Sequence, residues 1–130
     1  MREIIFRGKR MDNGEWVEGF YISHLNACHY IIPFCTGGFE AMDNSFYVHK
    51  WFDVDPSTIG QYTGLKDKNG KMIWEGDILS LRTGRPHVVR FKDGTFILED
   101  SAIPMSFAIK FEIIGNIYDN PELLKEEART

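Results

Sequence analysis

DPSTIGQYTGLKDKNGKMIWEGDIL, residues 55–79, decides how this chain is built. It opens on a cap followed by proline. The Asp55 carboxylate suits the free N–H groups of a first turn, Pro56 fits the first helical position, and Gly60 stops the turn almost at once. Two short runs rich in aromatic and β-branched residues follow, 61–65 and 71–74, separated by Lys68-Asn69-Gly70. Asn and Gly tolerate the positive φ of a tight turn, so the segment predicts a hairpin. Asp67 and Asp77 flank its turns, where a short carboxylate accepts backbone N–H bonds.

The same turn chemistry recurs on both sides. Asp12-Asn13-Gly14 separates residues 4–7 from 15–22, and Lys92-Asp93-Gly94 separates 88–91 from 95–98. Three such turns in a short chain point to antiparallel pairing. In residues 15–22, Trp16, Glu18 and Phe20 share one face while Val17, Gly19 and Tyr21 share the other, a strand covered in part on both sides. Residues 107–113 alternate cleanly: Phe107, Ile109, Phe111 and Ile113 face one way, Ala108, Lys110 and Glu112 the other, predicting a strand with one wet face. Helix is scarce. Asn120-Pro121-Glu122 caps a short C-terminal helix expected over 120–127. The expected fold is mostly β, built of antiparallel hairpins. A weak boundary divides a β-rich part, 1–55, from a C-terminal part, 56–130, within one compact unit.

The 130 residues suffice for one domain without staples, and two cysteines, Cys28 and Cys35, are too few for a disulfide framework. The longest apolar run, 30–35, contains Pro33 and falls far short of the ~20 residues that span a bilayer. The charged start is unlike a signal peptide, so a soluble, intracellular protein is expected, away from membranes. The net charge of -4 is uneven. Residues 60–92 hold seven basic side chains (Lys66, Lys68, Lys71, Arg82, Arg85, Arg90, Lys92) against three acidic ones, a local 7 - 3 = +4. A solvated face balanced by acidic neighbours accounts for that excess.

Few constellations point to chemistry. His24, Cys28, His29 and Cys35 are zinc-type residues, but their spacing matches no common ligand pattern, and buried small apolar cysteines are the plainer reading. The pairs Asp53/Asp55 and Glu75/Asp77 are read as turn and cap residues outside the core. His49 and His87 lie in strand-like runs as half-exposed side chains. No GxSxG, GxxxxGK[ST] or GxGxxG is present. No catalytic residue, metal or cofactor is expected. A nucleic-acid surface would draw on Arg82, Arg85, Arg90 and Lys92, with Phe91, Phe96 and Tyr62 for stacking, but the small basic surplus argues against it as the leading use.

Three ordered groups of residues carry a resemblance. They are Phe6-Arg7-Gly8-Lys9-Arg10 with Asn13-Gly14-Glu15-Trp16-Val17 and Gly19; Val54-Asp55-Pro56 through Glu75-Gly76-Asp77-Ile78; and Gly115-Asn116-Ile117-Tyr118 with Asn120-Pro121-Glu122-Leu123-Leu124. Together they resemble the YopX family of small phage and prophage proteins. Residues 23–47 contribute no anchor. The resemblance implies a C-terminal part similar to an SH3-type barrel and a homo-oligomer held mainly through that part. It brings no catalytic residues. The expected role is therefore non-catalytic self-assembly in the cytoplasm of a bacterial host, with a host or phage protein as a further partner. The alternative is a nucleic-acid-binding SH3-like module using the 82–92 hairpin. The expected oligomer, larger than a dimer, would close through Phe107, Ile109, Phe111, Ile113, Tyr118, Leu123 and Leu124, whose apolar bulk exceeds what one small barrel buries.

Overall fold

The computed structural model describes residues 3–24, 27–33, 39–42, 44–81 and 85–124. Its contacts divide the chain into two units, Met1–Gln61 and Tyr62–Thr130. The sequence places that division at 55/56.

In the first unit, β1 (Phe6–Lys9), β2 (Trp16–His24), β3 (Cys28–Pro33) and the two-residue β6 (Phe52–Asp53) form one antiparallel sheet in the order β6-β3-β2-β1. β4 (Phe39–Met42) and β5 (Ser45–Val48) form a separate hairpin. The start of β7 (Gly60–Lys66), a strand that runs on into the second unit, pairs with β1 through Gly60 and Gln61. Asp12-Asn13-Gly14 turns β1 into β2 as expected, with Gly14 at φ 74° and its N–H donated to the Arg10 carbonyl at 2.8 Å. Two glycines set the packing distance. A methyl at Gly19 would stand 1.9 Å from the Ile32 carbonyl oxygen across the β2–β3 ladder, and one at Gly8 would press Val54 at 3.2 Å. Ile31, Ile32 and Val54 are buried beside them.

A 3-10 turn, Pro56–Thr58, follows the cap chemistry of the sequence. Asp55 Oδ1 accepts the Ser57 N–H at 3.0 Å, and Thr58 Oγ1 accepts the Lys9 N–H at 2.8 Å.

In the second unit, β7 turns into β8 (Met72–Trp74). β9 (Asp77–Ser80), β10 (His87–Lys92), β11 (Thr95–Leu98) and β12 (Glu112–Asn116) form an antiparallel sheet in the order β11-β10-β9-β12. Asp93 and Gly94 adopt φ of 53° and 82°, the paired left-handed turn that an Asp-Gly step favours. Ile73, Leu79, Val89, Leu98, Ala108 and Phe111 make the core. No closed barrel forms among the described residues. β11 and β12 end the sheet on opposite sides, and the chain joining them is spent on a 3-10 helix, Met105–Lys110.

That helix corrects the expected strand over 107–113. Pro104 has no N–H and fixes its φ, so it starts a turn whose carbonyl accepts the Phe107 N–H at 3.0 Å; Ala108 then accepts from Phe111 at 2.9 Å. Burial recurs every third residue, at Ala108 and Phe111, as a 3-10 helix dictates. Phe107 and Ile109, which an alternating strand would place on one face with Phe111, are 45% and 50% exposed while Phe111 is buried. The strand starts only at Glu112 and carries an irregularity between Ile113 and Gly115. The C-terminal helix is entered at residues 122–124, and the rest of that expectation lies outside the described residues.

Candidate interaction surfaces

Several residues that carry the family resemblance hold turns and strand ends together. Asp67 is buried, and its carboxylate accepts three backbone N–H groups: Asn69 at 2.8 Å, Lys71 at 2.9 Å and Ile113 at 3.0 Å. Burial pushes this carboxyl up, but the donors of Ile113, Lys71 and Asn69 and the Lys71 charge outweigh it, so the group sits below the ordinary carboxylate range. Asp77 corrects the expectation of an unburied pair. It is 2% exposed and accepts the Trp74 N–H at 2.7 Å, closing the turn through Glu75 and Gly76. Gly76, at φ 93°, donates to the Val89 carbonyl at 2.8 Å and accepts from Ile117 at 2.9 Å. The Tyr118 ring lies 3.0 Å from where a methyl on Gly76 would stand. Asn116 Oδ1 accepts the N–H groups of Tyr118 and Asp119, while Asn120 Oδ1 reaches back to the Asn116 N–H at 3.2 Å. The Asp67, Asp77, Asn116 and Asn120 side-chain oxygens thus accept backbone N–H groups and support the turns they belong to.

The basic hairpin is only partly a free cationic face. Arg90 Nε donates to Glu99 Oε2 at 3.2 Å, which cancels one of the four charges. Lys92 is exposed beside the turn, and Arg85 lines a cavity of about 210 Å³ with His87 and Glu99. Arg82 lies outside the described residues. Phe91 is exposed and meets Phe96 edge-on at 5.0 Å, while Tyr62 is buried against Trp74.

Of the metal-type residues, His24 and Cys28 pair across β2 and β3, and Cys35 lies outside the described residues. His29 Nδ1 pairs with the Tyr21 hydroxyl at 2.7 Å. Cys28 is free and half-buried, more open than expected. No group of three His, Cys, Asp or Glu among the described residues is placed to hold a metal. His49 lies beyond β5, exposed, with Nε2 3.0 Å from Glu40; His87 is half-buried, edge-on to Phe111 at 6.0 Å. No described helix is long and apolar enough to cross a membrane.

The expected interface residues separate into two groups. Phe111 is buried, while Ile113, Tyr118, Leu123 and Leu124 are half-buried. Phe107 and Ile109 stand out from the 3-10 helix. Phe107 lines an apolar groove of about 450 Å³ with Leu81, Ala102, Ile103, Pro104 and Phe111, and Lys110 at its rim places its ammonium 5.3 Å from the Phe107 ring.

Sequence reasoning missed a second exposed region, in the first unit. Trp51, Ile22 and Val48 are all exposed beside half-buried Tyr30. Trp51 lies outside any alternating run; the only signal was the aromatic pair Trp51-Phe52 between Lys50 and Asp53.

Comparison with known proteins matches this arrangement to others of its kind. The chain is similar to the protein EF1440 from Enterococcus faecalis, known from a crystal structure, with 27% identity, a TM-score of 0.69, and coverage of 95% of this chain and 99% of that one. No curated protein matches. Residues 6–125 match the family described as YopX protein, which takes in all three anchor groups up to Leu124. The chain belongs to the YopX family.

Proposed function

We propose that this is a non-catalytic, phage- or prophage-derived cytoplasmic protein that works by assembling with further copies of itself, and that the groove under Phe107 is the seat. The phage origin rests on the family resemblance. The single observation that carries the assembly reading is the 3-10 helix, which turns Phe107 and Ile109 outward beside a groove lined almost wholly by apolar side chains. Water-exposed aromatic and branched side chains gathered at one groove gain by burial at about 25 cal/mol per Å². A second copy supplies such side chains in the same numbers, and closed rings of copies avoid open filaments. The Asp67 and Asp77 carboxylates are committed to backbone donors, which speaks against their use as an acid–base pair and supports the non-catalytic reading.

Light scattering coupled to size exclusion tests this. The wild-type chain is expected to run as a species larger than a dimer. Phe107→Asp and Ile109→Asp are expected to shrink it while the circular dichroism spectrum of the folded chain is kept, because both side chains stand outside the core of the single chain. A monomer at high micromolar concentration overturns the proposal.

A further inference from the structure

In the first unit, three grooves meet around β6. One of about 310 Å³ is lined by Ile22, Tyr30, Val48 and Trp51. A second, about 400 Å³, shares Trp51 and adds Met11, Asp12 and Asp53. The third, about 380 Å³, shares Tyr30 with the first and Met11 and Asp53 with the second. These shared residues make the three grooves neighbours, and we read them together as one trough whose acidic lining side chains are Asp12 and Asp53, with no Lys or Arg in the lining.

The two carboxylates are not equivalent. Asp12 is already taken by Arg10, through Nε at 2.9 Å and Nη2 at 2.6 Å. Asp53 gives its backbone carbonyl to the Met11 N–H at 2.9 Å, but its exposed carboxylate makes no ion pair among the described residues. The neighbouring aromatics indicate what such a surface takes. Trp16 carries Arg7 at 4.5 Å and Lys9 at 5.4 Å, and Phe52 carries Arg10 at 4.0 Å and Lys50 at 5.4 Å. Trp51 is 55% exposed and carries neither a cation nor a ring among the described residues. A cation over an exposed indole gains about 0.5–1 kcal/mol, more where the site is drier.

We propose that the trough around Trp51 binds an extended cationic peptide segment of another protein, one Lys or Arg side chain lying over the Trp51 indole with its charge beside Asp53. This site is independent of the groove under Phe107. Apolar side chains or prolines of the segment would fill the pockets along Ile22, Val48 and Met11, as aromatic-lined grooves receive extended ligands.

The test uses fluorescence anisotropy of a fluorescein-labelled eight-residue peptide alternating arginine and proline, beside its citrulline and glutamate counterparts. The arginine peptide is expected to bind and the other two to fail. Trp51→Ala and Asp53→Asn are each expected to weaken binding fivefold or more, Trp51→Phe to retain most of it, and Asp93→Asn at the β10–β11 turn to change nothing. Circular dichroism melts check that each variant folds; Trp51 is exposed, so its removal spares the core. Equal binding of the citrulline peptide, an equal loss with Asp93→Asn, or no loss with Trp51→Ala overturns the proposal. So does a fall in oligomer mass with Trp51→Ala, which would give the trough to a second copy.

Discussion

Single residues in this chain are chosen for the backbone they serve. Gly19 faces Pro33 across the ladder, and any Cβ there meets the Ile32 carbonyl at 1.9 Å, so no rotamer relieves the clash. Gly19→Ala is expected to cost about 3 kcal/mol or more, the upper end of overpacking, read as a shift in urea midpoint. Asp67 gives a second case, with a pH signature. Its folded-state carboxyl sits below the ordinary value of 3.8, so the stability it brings is fully present above 3.8 and is lost as pH falls through the lower, folded value. Asp67→Asn is expected to be less stable than wild type at neutral pH and to lose less stability on acidification below pH 4, roughly the ordinary carboxyl range. Chemical denaturation at pH 7 and pH 3, about 4 units apart, measures both. If the two proteins show the same pH slope, Asp67 is not the group responsible.

Elements owe their ends to these residues. β12 is the outer strand of its sheet, yet Asp67 accepts the Ile113 N–H and the Lys68 N–H reaches the Phe111 carbonyl at 2.9 Å. The turn after β7 thus covers the start of that edge, a common defence against unwanted pairing. The 3-10 helix Met105–Lys110 is the other decisive element. It buries Ala108 completely while leaving Ile109 at the surface. Ala108→Leu is therefore expected to destabilise by about 1–3 kcal/mol through overpacking, while Ile109→Ser, measured at a concentration too low for assembly, changes stability by less than about 0.5 kcal/mol. Thermal denaturation of the two variants separates this arrangement from an alternating strand, which predicts the opposite order.

At the scale of the whole molecule, each unit keeps its own exposed apolar region: the groove under Phe107 in the second and the trough at Trp51 in the first. Association through the Phe107 groove is apolar, so it is expected to persist in 1 M sodium chloride, where the screening length falls to about 3 Å, and to weaken on cooling. Sedimentation velocity at two salt concentrations and two temperatures reads this directly. Dissociation by salt alone would mean that charge holds the copies together.

The sequence alone determined the hairpins, because Asn13-Gly14, Asn69-Gly70 and Asp93-Gly94 act on backbone dihedrals within a few residues and need no distant partner. It also determined family membership, because the three anchor groups stand in order along the chain and all fall within the matched residues 6–125. Only the tertiary structure decided where the alternating run 107–113 belongs. Apolar residues at 107, 109, 111 and 113 fit a strand, but 105, 108 and 111 fit a three-residue period equally well; Pro104 and the core space open to Ala108 settled the choice. Asp77 likewise reads as a turn residue from its neighbours, but it starts β9, which lies between β10 and β12 with Asn116 as the ladder partner of Asp77, and that long-range pairing is not written in the local sequence. Trp51 was illegible for the same reason. Exposure is a property of what fails to cover a side chain, and local sequence does not encode it.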